Sequence, residues 1–353
     1  MRSTKLLGGR WKRLPLDDRY SRQIRFAPIG EEGQNRLASS RVLLIGLGAL
    51  GTVAADQMVR AGVGFLRIID RDFVELSNLQ RQTLFDESDA LNSLPKAVAA
   101  ERKLLSINSG VAVQGLVADL NPRNAQELLG GVDLLLDGTD NFETRFLIND
   151  FAVQSGLPWI YAAGVSSYGL TMTIRPGLTP CLACLLETGS ASQGLEDTCD
   201  TIGVIGPIVN LIASLEVAEA LKLLAGRTEA LHGRLLSCDV WSGHLQSIRV
   251  PRNPECRSCA KRDFTYLEGE SQPHITMCGR DSVQIHECGR ALDLSALAAR
   301  LRNVADEVRQ NDFLLQFRIA PYEMTVFADG RAILKGTKDP STARSLYARY
   351  IGA

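Results

Sequence analysis

Arg41-Val42-Leu43-Leu44-Ile45-Gly46-Leu47-Gly48-Ala49-Leu50-Gly51 reads as a buried strand running into a glycine loop. The loop opens a helix through Ala61 with Leu50, Val53, Ala54, Met58 and Ala61 near one face, and Phe65 to Asp70 forms the next strand. Gly46, Gly48 and Gly51 would bring backbone amides and a helix N-terminus to a phosphate, a geometry that many nucleotide-binding folds share. The loop alone does not say which reaction follows.

The alternation continues downstream. Lys96 to Ile107 is helical behind Pro95, Val111 to Val117 is a strand, and Asn121-Pro122 is expected to start a helix as a cap followed by proline in the first turn. Val132 to Asp137 is an apolar strand ending in Gly138-Thr139-Asp140-Asn141, and a helix over Phe142 to Gln154 follows. Strands near Pro158 to Ala163 and Tyr168 to Ile174 complete the pattern. It predicts an α/β, Rossmann-like, doubly wound and mainly parallel sheet, with its ligand off the strand C-termini, where Asp70 and Asp140 both fall.

Composition bounds the function class. The chain has 353 residues, 45% hydrophobic and 22% charged, with a formal net charge of -1. That is an ordinary globular composition with no overall pull toward nucleic acid or an anionic membrane. The basic start, with Arg2, Lys5, Arg10, Lys12 and Arg13, lacks the apolar core of a secretory signal. Gly203 to Gly226 is too interrupted by Asn210, Glu216, Glu219 and Lys222 to cross a bilayer. The expectation is a cytoplasmic protein with a basic tail over 1–18, a nucleotide-binding domain over 19–270 and an appended module over 271–353.

The residues after the loop narrow the chemistry. Asp70, about twenty residues past the loop, suits a ribose in a dehydrogenase or an ATP user alike. Asn78 and Arg81, in Ser77-Asn78-Leu79-Gln80-Arg81-Gln82, and Lys96 offer one amide and two long cations where a polyphosphate would lie. Taken singly, Arg81 and Lys96 would read as solvated surface charges, but their position inside one phosphate-facing segment reverses that reading; Asp140 reads as either a helix cap or a Mg²⁺ ligand. A hydride-transferring NAD(P) enzyme would leave both cations without a purpose. A binding module that had lost catalysis would be expected to have lost some of these residues. Of eight cysteines, Cys181 and Cys184 form one C-x-x-C pair, and Cys256 and Cys259 another. Four thiolates suit a closed, structural zinc site, although the distance between the pairs leaves redox dithiols open. Cys238 reads as a packed core thiol, and Cys278 and Cys288 as two unrelated thiols.

Arg19-Tyr20-Ser21-Arg22-Gln23, the glycine loop, Ser77 to Gln82, Pro95-Lys96, Thr139-Asp140-Asn141 and the cysteine pairs together resemble the E1-like ThiF/MoeB adenylyltransferases of ubiquitin-like sulfur carriers. The likeness runs from about Arg19 to Lys261. The segment Cys199 to Pro207 leans toward the thiamine branch, ThiF, over the molybdopterin branch, MoeB. The resemblance implies that a carrier's C-terminal Gly-Gly carboxylate attacks the α-phosphate of ATP, giving an acyl-adenylate. It implies Asp70 on the ribose, Asn78, Arg81 and Lys96 on the phosphates, Asp140 on Mg²⁺ and Zn²⁺ on the four cysteines. It further implies a homodimer in which Arg22 enters the partner's site, and a Cys199 able to link covalently to the carrier. The tail after about Ser271 is not a rhodanese domain, so a separate sulfur donor protein is expected.

That tail reads as a small α+β module. Ser282 to His286, Phe313 to Ile319 and Met324 to Phe327 are expected strands. Asp293 to Val308 is expected as one amphipathic helix with Leu294, Leu297, Leu301, Val304 and Val308 on a stripe. Asp329-Gly330 should turn the chain into Arg331 to Lys335, and Pro340 should open a helix through Tyr350.

Overall fold

The computed structural model describes residues 19–186, 202–269, 274–276, 282–285 and 292–352. The basic tail 1–18, Cys199, Cys278 and Cys288 lie outside the described residues. The first unit runs β1 (Arg41–Ile45), α1 (Ala49–Ala61), β2 (Phe65–Asp70), α2 (Lys96–Ile107), β3 (Ala112–Val117), α3 (Ala125–Leu129), β4 (Leu134–Asp137) and α4 (Phe142–Ser155). It continues with β5 (Trp159–Val165), β6 (Tyr168–Ile174), α5 (Leu182–Leu186), α6 (Gly206–Leu224), β7 (Leu235–Asp239) and β8 (His244–Ile248).

These strands form one eight-stranded sheet in the order β3-β2-β1-β4-β5-β6-β7-β8. Pairing is parallel from β3 through to β5 and antiparallel from β5 to β8. Strand β1 sits between β2 and β4, so both its faces are covered: Val42 and Leu44 enter one apolar cluster, Leu43 and Ile45 the other. The chain order reverses between β1 and β4, which opens a crevice beyond their C-termini. Helix α6 is apolar over much of its surface because it packs on α1 and on β5 and β6. Among the described residues no helix is long and apolar enough to cross a membrane.

The C-terminal module is a second sheet, β11-β12-β13-β14-β10-β9, antiparallel throughout. Its strands are β9 (His274–Thr276), β10 (Ser282–Ile285), β11 (Glu307–Gln310), β12 (Leu314–Ile319), β13 (Tyr322–Phe327) and β14 (Ala332–Lys335). Helices α7 (Leu294–Leu301) and α8 (Pro340–Tyr350) close the core around Leu297, Leu301, Phe317, Met324 and Tyr347. Gly330, at φ +89°, makes the turn between β13 and β14.

Two expected helices are shorter than the sequence suggests. Asn121 Oδ1 accepts from the Arg123 N–H at 3.0 Å, and the Asn121 N–H donates to Asn124 Oδ1 at 2.8 Å. The asparagine therefore builds its own turn, and α3 starts four residues later. Asp293 caps α7 by accepting from Ser295 and Ala296, but the helix stops at Leu301. Val304 is exposed and Val308 belongs to β11, where it still packs on the module core. A residue that fits the helical stripe thus reaches the same core by strand pairing.

The crevice between β1 and β4 is closed by glycine backbone. A Cβ on Gly51 would lie 1.9 Å from the Gly46 carbonyl oxygen, and one on Gly138 would lie 2.3 Å from that same atom. Gly46 itself has φ +88°, and its Cβ would meet Gly138 at 2.5 Å. A Cβ on Gly48 would touch nothing nearer than 3.8 Å. Gly138→Ala is therefore expected to lower stability by about 1–3 kcal/mol in urea denaturation, whereas Gly48→Ala leaves the midpoint unchanged. Equal midpoints for both variants would contradict the packing described.

Candidate active site

Asp70 fastens the glycine loop. Its Oδ2 accepts from the Leu47 N–H at 2.6 Å and its Oδ1 from the Asp72 N–H at 2.7 Å. Burial pushes the Asp70 carboxyl above the ordinary range, while Lys96 pulls the other way. Lys96 opens α2, is buried, and places Nζ 3.3 Å from Asp72 Oδ2. Helix α1 starts at the glycine loop with Gly48 at its N-cap, so no side chain occupies the position where an anion would bind.

Between β2 and α2 a short 3₁₀ turn, Leu76–Asn78, carries the amide. Asn78 is 1% exposed, and its Oδ1 accepts from the Glu75 N–H at 3.1 Å. This bond orients the amide and leaves Nδ2 as a buried donor without a hydrogen-bond partner among the described residues. Arg81 is half-buried and folds back, donating Nη1 to the Ser77 carbonyl at 2.9 Å. On the other lip of the crevice Asp140 is exposed. The cap of α4 is Asn141, whose Oδ1 accepts from the Thr144 N–H at 2.8 Å, so Asp140 is not used up as a cap.

Arg22 lies elsewhere. It is exposed on the short helix Ser21–Ile24, whose Gln23 donates to the Ala61 carbonyl at the far end of α1. The length of α1 separates it from its own glycine loop by roughly 20 Å.

Beneath the crevice sits a buried charge network that the motifs did not announce. Asp137 Oδ2 lies 3.0 Å from Arg145 Nε, and its Oδ1 accepts from the Thr139 N–H and hydroxyl at 2.9 and 2.7 Å. Arg145 also donates to the carbonyls of Thr139 and Ala162. Glu216, in the middle of α6, is completely buried and accepts from the Asp137 N–H at 2.9 Å. These contacts set the loop Gly138-Thr139-Asp140 at its height above the sheet. The signal for them was an Asp ending an apolar strand and an Arg on the buried side of the following helix, visible only once the two were known to meet.

The four cysteines converge. Cys181 and Cys184 flank the start of α5, Cys256 and Cys259 lie in the loop after β8, and the four Sγ atoms all fall within 4.8 Å of one another. Individual separations are 3.9, 3.6 and 3.4 Å for Cys181–Cys184, Cys181–Cys256 and Cys184–Cys259. A tetrahedron with zinc–sulfur bonds of about 2.3 Å has edges of about 3.8 Å, so the set fits zinc. Hydrogen bonding from Cys181, helped by the Asn253 N–H, pulls the Cys184 thiol below its ordinary value, toward the thiolate that binds a metal. Neighbouring residues of α4 hold both knuckles: Asn149 bonds the Leu182 N–H and the Ser258 hydroxyl, and Asp150 pairs with Arg257 through two bonds at 2.9 and 3.0 Å.

Burial and the adjacent Asp137 hold the Glu216 carboxyl well above its ordinary value, so the folded protein keeps a proton that the unfolded chain releases. Stability should therefore fall as pH rises through the ordinary carboxylate range and above. Glu216→Gln keeps the acceptor for Asp137 and removes this proton, so its stability relative to wild type should increase between pH 5 and pH 7.5 in denaturant titrations. An identical difference at both pH values would contradict a neutral Glu216.

Similarity to known proteins agrees with this geometry. The chain is 47% identical over 341 residues to the sulfur carrier protein ThiS adenylyltransferase of Bacillus subtilis, covering 96% of this chain and all of that protein. It is 37% identical to the sulfur carrier protein adenylyltransferase of Thermus thermophilus, covering 71% of this chain and 93% of that protein. Its fold is shared with Escherichia coli MccB solved with ATP, at TM-score 0.59 and 23% identity over 70% of this chain and 76% of that one. With the ThiF family matched over residues 20–258, spanning the glycine crevice, Asn78, Lys96 and all but the last of the four cysteines, this chain belongs to the ThiF family.

Proposed function

We propose that this protein adenylates the C-terminal Gly-Gly carboxylate of a ubiquitin-like sulfur carrier of the ThiS type, preparing it for thiocarboxylate formation. The observation that carries the proposal is the buried Nδ2 of Asn78, a donor without a hydrogen-bond partner among the described residues, on the segment that also bears Arg81 and ends at Lys96. An orphan donor of this kind is costly unless a ligand oxygen accepts from it. The glycine crossing and the uncapped N-terminus of α1 add backbone donors for phosphate.

In the reaction a carboxylate approaches a polyphosphate, so the barrier is largely the repulsion of two anions. Arg81 and Lys96 would offset charge on the phosphates, Asn78 would hold them, and Asp70 would place the ribose through the loop it fastens. Mg²⁺, with Asp140 as its protein ligand, would stabilise the leaving pyrophosphate. The four cysteines would hold a structural Zn²⁺. Arg22, far from its own loop and exposed, would complete the site of a second copy, which makes the active species a homodimer. Cys199 would link covalently to the carrier, and sulfur would come from a separate donor protein.

Carrier-dependent ATP–pyrophosphate exchange tests the central step. Arg81→Ala should lower kcat by about 10²–10³ without changing the melting temperature, since among the described residues the Arg81 side chain makes only the local bond to Ser77. Lys96→Ala should lose as much rate and some stability, because Asp72 loses its buried cation. Wild-type exchange in either variant would overturn the assignment. Metal analysis should find one zinc per chain, and Cys181→Ser should lose it together with thermal stability. A metal-free wild type of full stability would remove zinc from the account.

A further inference from the structure

The C-terminal module is seated on the segment that would hold the nucleotide. Residues 71–95 connect β2 to α2 with little secondary structure of their own, only the 3₁₀ turn and a short helix, Glu87–Leu91. A crossover of that length needs outside support. The module supplies it at several points. Phe73 packs with Leu314, Phe327 and Ile333 of the module. Arg331 Nη1 donates to the Arg71 carbonyl at 2.9 Å. Asn311 donates to the carbonyls of Asn92 and Ser93 at 2.9 and 3.2 Å.

One contact leads directly to the candidate site. Lys335, at the end of β14, places Nζ 2.7 Å from Glu75 Oε1. Glu75 is the N-cap of the turn Leu76–Asn78, and its N–H is the donor that orients the Asn78 amide. Arg81 follows within one turn and is braced on Ser77 of the same element. A charge on the module therefore anchors the residue that starts this turn.

We propose that Lys335 is a positioning residue of the adenylation site, acting through Glu75 to hold the turn that presents Asn78 and Arg81. This rests on the reading of that turn as the ATP-phosphate site. The family match ends at residue 258, and the Thermus thermophilus relative is 93% spanned by a match that covers 71% of this chain. The module thus lies outside the part of the chain that the family match covers.

The test uses the full-length chain, with the KM for ATP and kcat read from carrier-dependent pyrophosphate exchange. Lys335→Ala should raise the KM for ATP about fivefold, the size expected of a partly exposed ion pair, with kcat and melting temperature nearly unchanged. Glu75→Gln should do the same, the double variant should be no worse than either single one, and Lys335→Arg should restore the wild-type KM. A wild-type KM for ATP in Lys335→Ala, or a raised KM that Lys335→Arg fails to restore, overturns the positioning role. Arg81→Ala separates the two levels. If it is inactive while Lys335→Ala is normal, only the positioning role fails; if it too is normal, the ATP site itself has been misassigned.

Discussion

The structure depends on a close backbone crossing. At the ends of β1 and β4 the carbonyl of Gly46 is approached by Gly51 from one side and Gly138 from the other, at distances that no side chain permits. Asp70 secures the crossing by accepting from the Leu47 and Asp72 amides. Because the sheet order reverses at this point, the crossing forms the floor of the crevice where ligands of such sheets bind. A glycine loop of this kind spends its conformational freedom on proximity, and the carboxylate beside it keeps that proximity fixed.

Around this floor, buried charge is held by ion pairs and hydrogen bonds. Asp137 and Arg145 satisfy each other and the Thr139 backbone, while Glu216 resolves its burial beside Asp137 by staying neutral. Breaking such a pair costs about 3–5 kcal/mol, which makes the height of the Gly138 to Asp140 loop a rigid property of the fold. The cysteine cluster is held in the same way from the middle of α4. Asn149 and Asp150 are completely buried, and their bonds to Leu182, Ser258 and Arg257 bring two sequence-distant knuckles to one point. Rigid surroundings suit a site whose work is to offset charge, since donors already in place need no reorganisation as the reaction proceeds.

Much of this was legible along the chain, for reasons specific to each element. Strand β2, helix α2 and strand β6 have the bounds expected of them, because the strands are buried over most of their length and the helix lays Ala97, Ala100 and Leu104 into the core. Helix α3 and the second half of the predicted helix after Asp293 were misread for opposite reasons. Asn121 and Asn124 prefer their own turn, and Val308 reaches the core from a strand at a position that also fits a helical stripe. Within the site, Asp70, Lys96 and the cysteines lie in recognisable spacings. Gly138, Glu75, Arg145, Asp150 and Glu216 do not, since their roles arise from contacts across the sheet or between neighbouring elements that local patterns do not encode. The contact between Lys335 and Glu75 joins residues 260 positions apart, beyond any motif.

Each layer thus serves the next: glycine packing forms the crevice, buried ion pairs level its lips, and the appended module steadies the long segment between β2 and α2. The central claim is that this crevice holds ATP with its phosphates against Asn78, Arg81 and Lys96. A crystal structure with a non-hydrolysable ATP analogue measures this directly. The account predicts the Asn78 Nδ2, the Arg81 guanidinium and the Lys96 ammonium within hydrogen-bonding distance of phosphate oxygens, with Arg81 released from Ser77. A nucleotide bound elsewhere, or bound here with these three groups turned away, would contradict it.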